Sequence, residues 1–148
     1  MPPAMSTDPR TARLVDTYTR LTRTSLPALL ALYDEAAAFK DPFNDVRGCG
    51  AIQRIYEQMF DELREPRFVV HTAVTEGGEA CLTWTLHFRR ASGAAMEIRG
   101  ATQLRYSPAG LVTLHRDYWD AAEELYAKLP VLGWLMRALR RRLTTPQR

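Results

Sequence analysis

The hydrophobic period of this chain changes once, at Pro66, and that change limits the fold more than any other feature. Before it, Ile52, Ile55, Tyr56, Met59, Phe60 and Leu63 share one face of a helix. Proline has no N–H with which to continue that helix. Beyond it, Leu82, Trp84, Leu86 and Phe88 alternate with Cys81, Thr83, Thr85, His87 and Arg89. A chain that is helical first and alternating later packs as α+β, with helices laid on one face of an antiparallel sheet.

The segments follow from local signals. Thr7 or Asp8 is a candidate cap for a helix over 8–23, with Pro9 in its first turn and Leu14, Tyr18 and Leu21 on its apolar stripe. Ser25 is the expected cap of a second helix, 25–34, whose stripe is Leu26, Leu29, Leu30 and Tyr33. A short strand, 37–40, runs into Asp41-Pro42, and 42–50 reads as a loop. A third helix covers 50–63. Strands are expected over 67–75, 79–90, 94–107 and 111–120, with turns at Gly77-Gly78, Ser92-Gly93 and 107–110. Gly100 interrupts a face made by Met96, Ile98, Thr102 and Leu104, which reads as a bulge or bend. The expected fold is a cone-shaped α+β barrel: three N-terminal helices on a curved antiparallel sheet, with a C-terminal helical extension.

The sequence divides into a domain over 1–128 and a basic tail over 129–148. The tail carries Arg137, Arg140, Arg141, Arg142 and Arg148 with no acid after Glu124, so it holds +5 while the rest sums to −2. That body is too acidic for a nucleic-acid binder, whose basic stripe runs over the folded face. Val131, Leu132, Trp134, Leu135, Met136, Leu139 and Leu143 make the tail amphipathic beyond Pro130. Such a helix is expected to dock on protein; an anionic membrane surface is the alternative. The first ten residues hold no apolar run of signal-peptide type, so a cytoplasmic address is expected. Cys49 and Cys81 form no CxxC pair, and His71, His87 and His115 have no metal-ligand spacing. No metal and no cofactor are expected.

Polar residues on apolar faces are the candidates for chemistry. Tyr18 sits on the stripe of the first helix. Asp41 ends the first strand. Alternation puts His115, Asp117 and Trp119 on one face of the last strand, and Arg116, Tyr118 and Asp120 on the other. Each has a structural alternative. An Asp before Pro caps turns. Tyr18 can tether its hydroxyl to a neighbour. His115 and Asp117 can form a buried polar pair.

The element order, with Phe39-Lys40-Asp41-Pro42, Leu104-Arg105-Tyr106, Ala109-Gly110 and Tyr118-Trp119-Asp120, resembles the nuclear transport factor 2-like superfamily. The likeness is to its ketosteroid isomerases, SnoaL-like polyketide cyclases and limonene-epoxide hydrolases, over roughly residues 10 to 125. That resemblance implies an apolar pocket for a small hydrophobic molecule and proton-transfer chemistry of the isomerase, cyclase or dehydratase type. A non-catalytic ligand-binding or dimerising module is the alternative. It implies Asp41 as general base and Tyr18 as oxyanion donor. Thr102 falls where those isomerases carry a protonated aspartate, which argues against steroid isomerisation. His115 and Asp117 fall on the pocket face, and polyketide cyclases also carry an acid on the last strand. The implied walls are Tyr56, Met59, Leu82, Trp84, Ile98, Leu104 and Trp119. A homodimer through the outer sheet face is also implied, with Val112 and Leu114 expected to point outward there.

Overall fold

A computed structural model describes residues 5–124. Two helices open it. α1 (Pro9–Thr19) begins where the Asp8 carboxylate accepts from the Arg10 N–H at 3.0 Å, and it buries Thr11, Leu14 and Tyr18 on one face. α2 (Leu26–Leu30) is shorter than its stripe suggests. Ser25 makes no cap; its Oγ accepts instead from the Thr22 N–H at 2.8 Å.

Tyr33 belongs to a strand, not to the end of α2. β1 (Tyr33–Lys40) lies parallel to β6 (Val112–Tyr118), and the Val112 N–H donates to the Leu32 carbonyl at 2.9 Å. That long-range pairing outcompetes the helical preference of the sequence around residue 33. The expected loop contains β2 (Asp45–Arg47), which returns antiparallel on β1 with Phe39 opposite Val46. α3 (Cys49–Glu62) follows and buries Ile52 and Tyr56. Gly48 precedes it at φ 98°, a conformation in which glycine carries no Cβ penalty.

Three further strands complete the sheet: β3 (Arg64–Glu76), β4 (Glu79–Arg89) and β5 (Ala95–Tyr106). α3 stops at Leu63, and Pro66 lies inside β3. That strand is at the sheet edge, where a missing N–H is tolerated, and its register shifts between Arg64 and Arg67. A four-residue α4 (Ala121–Glu124) ends the described chain. The tail, and with it the expected docking of 129–148, lies outside the described residues.

The strand order is β2-β1-β6-β5-β4-β3. This corrects the expected architecture in three respects. Two helices, not three, precede the sheet, because β1 and β2 come before α3. The sheet is mixed, because β1 joins β6 in parallel. It is open and not a barrel: β2 and β3 are its two edges and no ladder joins them. Gly100 is no bulge either. The β4–β5 ladder runs without a register shift from Glu79 opposite Arg105 to Arg89 opposite Ala95. Glycine is needed at 100 because the Trp84 ring lies across it, and an added Cβ would fall 2.6 Å from two ring carbons.

The core lies between the helices and one sheet face. Leu14, Leu29, Ile52 and Leu104 are fully buried there. A register shift between Arg105 and Tyr106 lets Val112 turn inward as well as His115. Val112 is therefore buried, contrary to its expected outward position, while Leu114 is only partly buried.

Candidate functional site

Alternation along β6 carries His115 and Asp117 to the helix-covered face. There a cavity of about 350 Å³ opens between the sheet and α3. Its floor is buried: Tyr18, Phe39, Tyr56, Leu82, Trp84 and His115 line it. Its rim is exposed and comes from the 41–44 turn, from Gln58 and Glu62 on α3, and from half-buried Trp119. Phe43 packs edge-on against Trp119 at that rim, with ring centroids 5.6 Å apart.

One hydrogen-bonded chain runs through the floor. The Trp84 indole N–H donates to Thr102 Oγ at 2.7 Å, and the Thr102 hydroxyl donates to Asp117 Oδ1 at 2.5 Å. His115 Nε2 is 2.7 Å from the same oxygen. Its Nδ1 is 2.6 Å from the Tyr33 hydroxyl and 3.2 Å from that of Tyr18. Tyr18 in turn bonds Tyr33 at 2.9 Å and makes a short contact with Tyr56. With Asp117 accepting, Nε2 carries the imidazole proton and Nδ1 accepts from Tyr33. Three tyrosine protons then fill three bonds: Tyr56 to Tyr18, Tyr18 to Tyr33, and Tyr33 to His115. Both Asp117 bonds fall on Oδ1; among the described residues none goes to Oδ2.

The electrostatics follow from burial. Burial pushes the Tyr18, Tyr33 and Tyr56 hydroxyls well above the ordinary phenol range, because a phenolate there would lose its hydration. All three stay neutral and act as hydrogen-bonding groups. The His115 ring stacks on Phe39 at 4.6 Å, which fixes the imidazole plane.

The structure brings Tyr18, His115, Asp117 and Thr102 into one network, and Asp41 stays outside it. Asp41 lines the cavity rim, but its carboxylate builds the turn after β1. It accepts from the Phe43 N–H at 2.8 Å, the Asn44 N–H at 2.7 Å and the Asn44 side-chain amide at 3.1 Å. Of the expected walls, Tyr56, Met59, Leu82, Trp84, Ile98 and Trp119 line the cavity; Leu104 is sealed in the core. Tyr33 went unrecognised because its spacing fits a helical stripe, and only the parallel pairing of β1 reveals it. Phe68, Leu86 and Phe88 also line the cavity. Alternation put Leu86 and Phe88 on one face with Leu82 and Trp84, with no signal separating cavity wall from packed core. Among the described residues no cluster of His, Cys, Asp or Glu has the makings of a metal site.

The model of the SnoaL-like domain matches residues 14–115. The chain belongs to the SnoaL-like domain family. Its fold is that of the NTF2-like superfamily, and the solved structures similar to this SnoaL-like chain agree. One is a Catenulispora acidiphila protein of ketosteroid isomerase-like fold in complex with trimethylamine. It is 15% identical with a TM-score of 0.71, covering 87% of this chain and 98% of that one. A Mycobacterium tuberculosis protein in complex with estradiol-17beta-hemisuccinate is 19% identical with a TM-score of 0.61, covering 75% and 91%. The Delta 5-3-ketosteroid isomerase from a Mycobacterium species is 19% identical with a TM-score of 0.61, covering 75% and 90%. At such identities the likeness is one of fold. Among curated proteins none matches the sequence.

Proposed function

We propose that the cavity binds a small hydrophobic molecule and that Asp117 exchanges a proton with it. The observation that carries this reading is the pairing of Asp117 with His115 at the floor of a largely apolar cavity. Oδ1 is held by His115 and Thr102, so Oδ2 is the atom left to meet a ligand. The His115 imidazole, oriented by Tyr33 and Phe39, holds Asp117 in place through Oδ1; as a C–H proton passes to Oδ2 the carboxylate loses its charge and the ligand's carbon skeleton takes it on. Tyr33 and Tyr18 hold the imidazole, and Tyr56 holds Tyr18. Asp41 shapes the rim and takes no part in the proton transfer. The relatives that hold trimethylamine and a steroid ester support a small, greasy guest.

The test is hydrogen–deuterium exchange at an activated C–H of a bound ketone, followed by NMR in D2O. Wild-type protein is expected to catalyse the exchange, and Asp117→Asn to slow it by about 10²–10⁴-fold. Equal rates in the two proteins would remove Asp117 from the chemistry. Tight binding without any exchange favours the second reading, a ligand-binding module, which the fold also accommodates.

A further inference from the structure

We infer that the cavity selects hydrophobic compounds bearing a protonated amine and discriminates against carboxylates of the same skeleton. This inference rests on reading the cavity as a small-molecule site, and it concerns binding alone.

The argument is a census of hydrogen-bonding groups. The Trp84 N–H is committed to Thr102, and the Thr102 hydroxyl to Asp117. His115 has both ring nitrogens engaged, one on Asp117 and one on Tyr33. The tyrosine protons are used up within their own chain. At the rim, the Asn44 amide donates to Asp41 and the Gln58 amide to Glu62 at 2.8 Å. Among the described lining residues, the Trp119 indole N–H is the one ring donor for which no partner appears. The buried floor is therefore rich in acceptors and poor in free donors, and the free donors seen among the described lining residues, the second Gln58 N–H and the Trp119 N–H, lie at the rim.

Charge points the same way. The charged groups of the lining are the carboxylates of Asp41, Glu62 and Asp117, and among the described residues no Lys or Arg lines the cavity. Lys40 and Arg116 line an adjoining open hollow instead. There Lys40 faces Asp45 at 3.8 Å, and the Arg116 guanidinium lies 4.7 Å over the Tyr118 ring. A carboxylate guest would shed its hydration shell and find no cation to replace it. An ammonium brings both the missing donors and the complementary charge. Asp117 Oδ2 accepts one N–H, and the aromatic lining attracts a cation through its ring faces.

Isothermal titration calorimetry at neutral pH tests this with four compounds on one skeleton. They are naphthylmethylammonium, its N-trimethyl derivative, naphthylmethanol and naphthoate. The primary ammonium is expected to bind at least ~10-fold tighter than the alcohol, the trimethyl compound to fall between them, and naphthoate to be weakest. Asp117→Asn, checked for folding by circular dichroism, is expected to bring the ammonium to within about threefold of the alcohol. If the variant fails to fold, the wild-type series alone decides. Naphthoate binding as tightly as the alcohol, or an ammonium no tighter than the alcohol, overturns the selectivity and leaves the small-molecule reading intact. Failure of all four to bind overturns both.

Discussion

At the scale of the residue, packing and hydrogen bonding meet at Trp84. Its ring fills the space over Gly100, and its N–H anchors Thr102, which orients Asp117. A methyl group at 100 has no room unless the indole moves, and the indole is tied down. Gly100→Ala is therefore expected to cost about 1–3 kcal/mol in urea denaturation, the usual range for overpacking. Stability equal to wild type would mean that the ring is not seated as described. The buried tyrosines give a second prediction. Their hydroxyls titrate higher in the folded state than the ordinary phenol near 10. The unfolded chain thus releases protons first, so their contribution is fully present below pH 10 and is lost as pH rises above it. Ultraviolet titration is expected to leave these three of the six tyrosines unionised past the phenol range until the protein unfolds. Six ordinary titrations in folded protein would contradict the network.

At the scale of the element, the turn after β1 is built by Asp41. Asp41→Ala removes an acceptor for three N–H groups and is expected to cost roughly 1–2 kcal/mol of stability. Asp41→Asn keeps a side-chain carbonyl for those donors, so it is expected to hold both stability and any exchange activity. Loss of activity in Asp41→Asn as complete as in Asp117→Asn would restore Asp41 as a base. The elements differ in how readable they were. The β4 strand was legible almost residue by residue, because period-two alternation is a local signal that burial on one face imposes. β1 was only half legible. Tyr33 lies in a run that suits a helix, and the parallel partner that claims it, Val112, is 79 residues away in sequence (112 − 33). β2 was read as loop because its three residues gain strand structure only by pairing with β1.

At the scale of the whole molecule, the sequence signalled an α+β layering but not how the sheet ends. Closure depends on whether β2 and β3 meet, and no residue pattern in either strand encodes that. The open order leaves two edges, and Met5 bridges to Ala73 beside the β3 edge. The inward face of β6 was legible from alternation, so His115 and Asp117 were found as a pair; their connection to three tyrosines was not, since those come from α1, β1 and α3. The central claim is that this junction of helices and sheet binds its ligand at Asp117. A crystal structure with a hydrophobic ligand tests it most directly. The account predicts the ligand inside the cavity, with a polar atom within hydrogen-bonding distance of Asp117 Oδ2 and the His115–Asp117 bond intact. A ligand seated in the open hollow beside Lys40 and Arg116, with the cavity left vacant, would contradict it.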